Sequence, residues 1–235
     1  FSQKFKIDQT IFYAISLTPF FLISSFTVGT ELLSLSLLML SFAYFDSTIS
    51  GLFMGLTFLT RSTNLIFLPL LFIKKDYKKI AFSILLFILP IIPWLLFNYY
   101  HTGNMFTNLM DGYASQIKFR SYMKMPFNIF HVLMAAGYLL ILAIPGIILN
   151  INRIRKKLLS KEALHFTLIF LCLTLVLYSY IKIPLKTSRY LYNIIFPLSY
   201  FSTIFITKFN KKLIYVFIAI SVILIFKLRK ILSST

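Results

Sequence analysis

The residues in this sequence best suited to chemistry are cations set beside apolar runs. Lys186 and Arg189 share the short segment Lys182-Ile-Pro-Leu-Lys-Thr-Ser-Arg189, and Tyr190 follows at the head of an apolar stretch that contains Pro197. A guanidinium grips a phosphate through paired hydrogen bonds, while an ammonium supplies point charge. At the entry of a membrane helix, with an aromatic anchor behind it, such a set suits the phosphate or diphosphate of a lipid. The competing reading is that these cations snorkel to ordinary phospholipid headgroups, and it is the preferred one for Lys118, Arg120 and Lys124.

Three further side chains are candidates for lining a cavity. Glu31 opens an apolar run after a Gly-Thr turn, where a helix N-terminus favours a carboxylate. It either serves that end alone or faces a cavity, binding a substrate hydroxyl, a cation or a basic partner such as Arg61. Arg61 stands at the centre of the apolar stretch 49–73, within Thr60-Arg-Ser-Thr-Asn64. His101, in Asn98-Tyr-Tyr-His-Thr-Gly-Asn104, reads as a loop histidine and is the weaker candidate for substrate contact. Asp111-Gly112 reads as a turn, and His131 and His165 are assigned no chemistry. There is no His-Glu-x-x-His, no Gly-x-Ser-x-Gly elbow and no phosphate-binding glycine loop. Cys172 lies alone in an apolar run, so no disulfide framework, metal-ligand set or redox motif is legible, and no cofactor is identified.

The elements that must position these residues are membrane helices. Of 235 residues 59% are hydrophobic and 18% aromatic, with a mean hydropathy of +0.85, above the apolar share of a soluble domain. Apolar runs cover roughly 11–27, 31–45, 49–73, 80–97, 128–150, 163–181, 190–207 and 213–226, long enough in most cases to cross a bilayer. Asp8 and Asp46-Ser-Thr48 read as N-caps of the runs that follow. The net charge of +18 comes from cations lying mostly between these runs, which argues against a nucleic-acid surface and for topology signals and anionic lipid.

Charge distribution also speaks to Arg61. With 49–73 crossing once, Lys and Arg divide almost evenly between the two sides. With the segment dipping in and returning as two half-helices, most cations fall on one side. Lys74-Lys-Asp-Tyr-Lys-Lys79, Asn152-Arg-Ile-Arg-Lys-Lys157 and Lys208-Phe-Asn-Lys-Lys212 then lie together in the cytoplasm. The fold expected is all-α: one polytopic transmembrane bundle over 1–235, about seven crossings plus one re-entrant pair. The alternative for 49–73 is a single tilted helix whose Arg61 is paired to a carboxylate in the bundle.

Four stretches, in order, resemble segments of the GT-C membrane glycosyltransferases, nearest to the ArnT-like and protein-mannosyltransferase-like groups. They begin at Thr30-Glu-Leu-Leu, Gly51-Leu-Phe-Met-Gly, Pro93-Trp-Leu-Leu and Arg189-Tyr-Leu-Tyr. The resemblance implies a polyprenyl- or dolichyl-phosphate sugar as donor and a glycan, lipid or protein acceptor on the extracytoplasmic side, in the plasma membrane of a prokaryote. It further implies donor-phosphate binding by Arg189 and Tyr190 with Lys186 assisting, and a cavity lined by Glu31. The family's catalytic carboxylate lies in a first extracytoplasmic loop that nothing here matches. The expectation is therefore a C-terminal portion, begun at Phe1 and inactive alone.

Three other functions are carried beside this one. An O-antigen ligase or polymerase would give His101 and the 98–127 loop the leading part. A transporter or flippase would use the broken segment 49–73 as a midplane site, though the inverted repeat such proteins often show is not seen here. A non-catalytic membrane scaffold is the third.

Overall fold

The computed structural model describes residues 1–3, 5–22, 29–74, 76–107, 109–112, 114, 118, 127, 129–154, 161–182, 188–220 and 223, and every regular element among them is helical. In chain order these are α1 (Gln9–Ser16), α2 (Gly29–Ala43), α3 (Ile49–Thr60), a 3-10 helix (Ser62–Ile73), α4 (Tyr77–Ile88) and α5 (Ile91–Thr102). They continue as α6 (Ile129–Ala136), α7 (Tyr138–Ile154), α8 (Lys161–Lys182), a second 3-10 helix (Ser188–Ile194) and α9 (Ile195–Phe209). Contacts divide the chain into two units, one of Phe1, Val28–Asn128 and Leu175–Thr187, the other of Ser2–Thr27, Ile129–Thr174 and Ser188–Thr235.

In the first unit α2 and α3 are antiparallel. Ser41 Oγ donates to the Ser50 carbonyl (3.0 Å) near one end, and Arg61 meets Glu31 at the other. Helix α3 stops because Arg61 turns to extended backbone (φ −150°, ψ 111°), its amide still donating to the Thr57 carbonyl (3.1 Å). The hydroxyls of Thr57 and Thr60 donate back to the carbonyls of Phe53 and Thr57 (2.7 Å each), so part of the helix end is satisfied from within. The 3-10 helix then returns along α3. Asn64 near its start donates to the Thr57 carbonyl (3.2 Å), and Lys74 just past its end reaches the Ser47 carbonyl (3.0 Å) and Ser50 Oγ (2.7 Å) at the beginning of α3. Segment 49–73 is thus two antiparallel halves broken at Arg61.

Helix α4 runs parallel to α3 at close range. A Cβ on Gly51 would overlap the Ser83 carbonyl, and one on Gly55 the Phe87 carbonyl, so the Gly-x-x-x-Gly spacing lets two backbones touch. Asp76 caps α4 by accepting from the amides of Lys78 (2.9 Å) and Lys79 (3.5 Å). Helix α5 ends where Gly103 takes the left-handed conformation (φ 73°) and donates to the Tyr99 carbonyl (2.9 Å).

The second unit is built on α9, whose residues from Ile195 to Thr203 are all buried. Helix α7 packs on it through Gly146, where a Cβ would strike the Phe201 carbonyl, and Ser202 Oγ donates to the Leu139 carbonyl (3.2 Å). Tyr138 OH donates to the Ile15 carbonyl (3.1 Å), and Tyr192 stacks on Phe21 with ring centroids 5.6 Å apart. Asp8 caps α1 by accepting from the Ile11 amide (3.2 Å), and its other oxygen pairs with Lys211 (2.9 Å). The Lys211 hydrogen bond holds the Asp8 carboxyl below its ordinary pKa. At 46–48, by contrast, Thr48 holds the cap position without a side-chain bond, and Ser47 Oγ takes the Ile49 amide (3.4 Å).

Among the described residues three helices are long and apolar enough to cross a membrane: Tyr77–Thr102, Glu162–Lys182 and Tyr190–Phe209. A fourth span arises if Ile129–Ala136 and Tyr138–Ile151, bent by 84° at Gly137 (φ 52°), count as one. The described residues therefore show three or four spanning helices, and the seven crossings expected from the apolar runs are not confirmed. Helices α2 and α3, with 15 and 12 residues, are only about 22 and 18 Å long at ~1.5 Å per residue, against a hydrocarbon core of ~30 Å. The 11–27 run is interrupted where α1 ends at Leu17 (φ −74°, ψ 53°).

Candidate functional site

The break in segment 49–73 gathers five polar side chains from elements distant in sequence. Arg61 Nη1 lies 3.2 Å from Glu31 Oε1, with the carboxylate fully buried and the guanidinium side chain 11% exposed. Thr30 Oγ1 donates to the second carboxylate oxygen (3.1 Å). Beside this pair Asn64 Nδ2 donates to Ser34 Oγ as well as to the Thr57 carbonyl, and both Asn64 and Ser34 are buried. Backbone dipoles reinforce the arrangement, since Glu31 is in the first turn of α2 and Arg61 is the C-cap of α3. Each charge sits at the helix end that favours it.

A second polar cluster lies at the opposite end of the hairpin. Lys74 is buried, its ammonium donating to the Ser47 carbonyl, Ser50 Oγ and Ser83 Oγ and standing 5.6 Å from the centre of the Phe45 ring. Three donors meet three oxygens, so one side chain ties the end of the 3-10 helix to α3 and α4. Burial, aided by the nearby Lys79 and opposed by Asp46, lowers the Lys74 pKa from 10.5 to about 8. From the sequence Lys74 read only as the first residue of a basic anchor. Its signal is position, since one lysine at the seam of two apolar segments can be drawn inward while Lys78 and Lys79 stay exposed.

The remaining sequence-named residues are dispersed. His101 belongs to the last turn of α5 and is not in a loop, because that helix runs on past Phe97 to the Gly103 stop. Its ring is exposed, 4.3 Å from Phe97 and 5.4 Å from Tyr100 between centroids. Arg189 and Tyr190 fall in the second 3-10 helix, immediately before α9, with Tyr190 half-buried and the Arg189 side chain outside the described set. Lys186, Arg120 and Lys124 lie outside the described residues. Glu31, Arg61 and His101 belong to the first unit, and Arg189 and Tyr190 to the second. Among the described residues no group of three or more His, Cys, Asp or Glu could hold a metal ion.

Fold and site together define an all-helical protein with helices of membrane-crossing length and a buried ion pair where a helix breaks. Compared with family models, with curated proteins and with solved structures, the chain matches none. The chemistry available to the first unit is electrostatic: an ion-paired, hydrogen-bonded seat at the break and a single saturated lysine at the far end.

Proposed function

We propose that the chain is an integral membrane protein that binds a lipid-linked sugar phosphate and serves transfer of the sugar to an extracytoplasmic acceptor, as GT-C glycosyltransferases do. The observation that carries this reading is the position of Arg189 and Tyr190 in the short 3-10 helix at the head of the 20-residue apolar segment Tyr190–Phe209. A guanidinium at that entry meets a lipid phosphate at the level of the headgroups. Lys186, three residues before it in sequence, adds point charge. Negative charge grows on the leaving phosphate as the glycosidic bond breaks, and fixed cations favour that state. On this reading α3 and the 3-10 helix dip into the bilayer from one side and return, and the Glu31–Arg61 pair holds the tip of the dip.

The test is equilibrium binding of a radiolabelled polyprenyl phosphate, and separately of the parent polyprenol, to the full chain in lipid nanodiscs. Binding of the phosphate and not the alcohol is expected, with Arg189→Ala weakening it roughly 10- to 100-fold and Arg189→Lys falling between, because the paired hydrogen bonds need the planar fork. Equal binding of alcohol and phosphate, or an unchanged Arg189→Ala, overturns the reading. A transporter or flippase is the second reading, favoured by the break at Arg61, since interrupted helices with charges at the break build substrate sites. Movement of a labelled headgroup across proteoliposomes without any acceptor would select it.

A further inference from the structure

We infer that water reaches the break at Arg61 from the side of the membrane on which Tyr99, Tyr100 and Asn104 lie, through a vestibule above the short α2–α3 hairpin. This rests on the membrane reading just given and goes beyond it.

The depth of the break follows from the helix beside it. Between Lys79 and His101 the segment Tyr77–Thr102 carries no charge, and its exposed side chains Phe82, Leu85, Leu89, Ile92 and Leu96 recur at helical spacing along one stripe. Tyr77 is 86% and Tyr100 87% exposed. They stand about 35 Å apart along the axis at ~1.5 Å per residue, the separation of two interfacial belts around ~30 Å of hydrocarbon. Helix α3 lies parallel to this ruler with Gly51 at the level of Ser83 and Gly55 at that of Phe87. Arg61 is therefore level with the turn around Pro93 and Trp94, and the 6.4 Å contact of the Phe58 and Trp94 rings agrees. That is about 10 Å inside the Tyr100 level and roughly 7 Å below the hydrocarbon edge.

The backbone at that depth is unfinished. The last amide bond of α3 is Arg61 to Thr57 and the first of the 3-10 helix is Asn64 to Arg61. The amides of Ser62 and Thr63 fall between them and have no partner among the described residues. The Ser62 side chain is exposed, and Arg61 keeps part of its surface open. Lipid cannot satisfy free amides, so backbone of this kind is tolerated at membrane depth only against protein or water. At the other end of the hairpin the described residues are closed, with Phe58, Phe67, Leu70 and Leu71 filling its body and Lys74 bound at its base to Ser47, Ser50 and Ser83.

The experiment uses the full chain in oriented membrane vesicles with Cys172→Ala and single cysteines at Asp76, Asn104, Ser62 and the stripe position Leu85. The probe is a membrane-impermeant thiol reagent added from one side at a time. Ser62→Cys is expected to react from the same side as Asn104→Cys and within roughly tenfold of its rate, with Leu85→Cys at least about 100-fold slower. A nitroxide at Ser62, relaxed by an aqueous nickel chelate more than by oxygen, supplies the same answer without relying on labelling rates. If Asp76→Cys and Asn104→Cys react from the same side, the spanning helix is wrong and the membrane reading falls with it. If they react from opposite sides while Ser62→Cys is silent, reacts from the Asp76 side or is relaxed mainly by oxygen, the span stands and the vestibule is overturned.

Discussion

At one end of the α3 hairpin a buried arginine faces a buried carboxylate, while at the other a buried lysine donates to two hydroxyls and a carbonyl beside an aromatic ring, with no direct ion pair among the described residues. At the arginine end one guanidinium is paired with one carboxylate among the described residues, and the planar group cannot lose its proton under ordinary conditions. The lysine end carries a charge whose hydrogen bonds are complete but which has no carboxylate within ion-pair distance among the described residues, and burial, opposed by the nearby Asp46, has brought its pKa down to about 8. Completing hydrogen bonds and pairing charge are separate requirements, and the hairpin meets both at one end and only the first at the other. Removing one partner should accordingly be costly at the break and mild at the base.

The largest effect is expected from Glu31→Ala. It removes the carboxylate that the Arg61 guanidinium meets in a buried setting, and removing one partner of a buried pair costs about 3–5 kcal/mol. The double variant Glu31→Ala with Arg61→Met should recover most of that loss, because no orphan charge is left. Unfolding of the purified protein by detergent titration, followed by circular dichroism, measures both. A double variant no more stable than the single one would show that the loss comes from packing around α2 and not from charge.

A smaller effect is expected where the two ends share a support. Gly51→Ala drives a methyl into the Ser83 backbone carbonyl, so α4 must move away from α3 and carry Ser83 Oγ off Lys74. Overpacking of this kind costs about 1–3 kcal/mol. Gly112→Ala, with open space around it, is the matched control and should lie within roughly 0.5 kcal/mol of the parent. Equal stability of the two variants would mean that α3 and α4 have room to part.

The arginine end is the more legible in sequence for a physical reason. A charge in the middle of a 25-residue apolar stretch contradicts its surroundings, and a contradiction demands a partner, for which Glu31 was the natural acidic choice. Lys74 contradicts nothing, standing first in a run of lysines that reads as a solvated anchor. Only tertiary packing decides that it turns inward while Lys78 and Lys79 stay exposed. The apolar runs foretold helices but not their lengths, since hydropathy is blind to Arg61 turning extended or to the left-handed Gly137 that bends α6 from α7. Gly103 could have placed His101 inside α5, because glycine just past a helix is a stop signal and the residues before it belong to the helix. The Gly51-x-x-x-Gly55 spacing was likewise a packing signal open to reading.

The subtlest test of the comparison is Lys74→Met. Replacing a buried charge with an apolar chain of similar length is often close to neutral, so a change within about 1 kcal/mol is expected at pH 7, against the several lost on Glu31→Ala. The distinguishing feature is pH. Folded Lys74 titrates near 8 and the unfolded side chain near 10.5. Between those values the unfolded chain holds a proton that the folded chain has released. Stability attributable to this group therefore rises as pH climbs from 8 to 10.5 and is flat below 8. The same rise should be missing from Lys74→Met, while the other lysines, common to both proteins, cancel in the difference. Parallel stability curves across that window would mean that Lys74 is solvated like its neighbours, and the two ends of the hairpin would then differ only in which of them is buried.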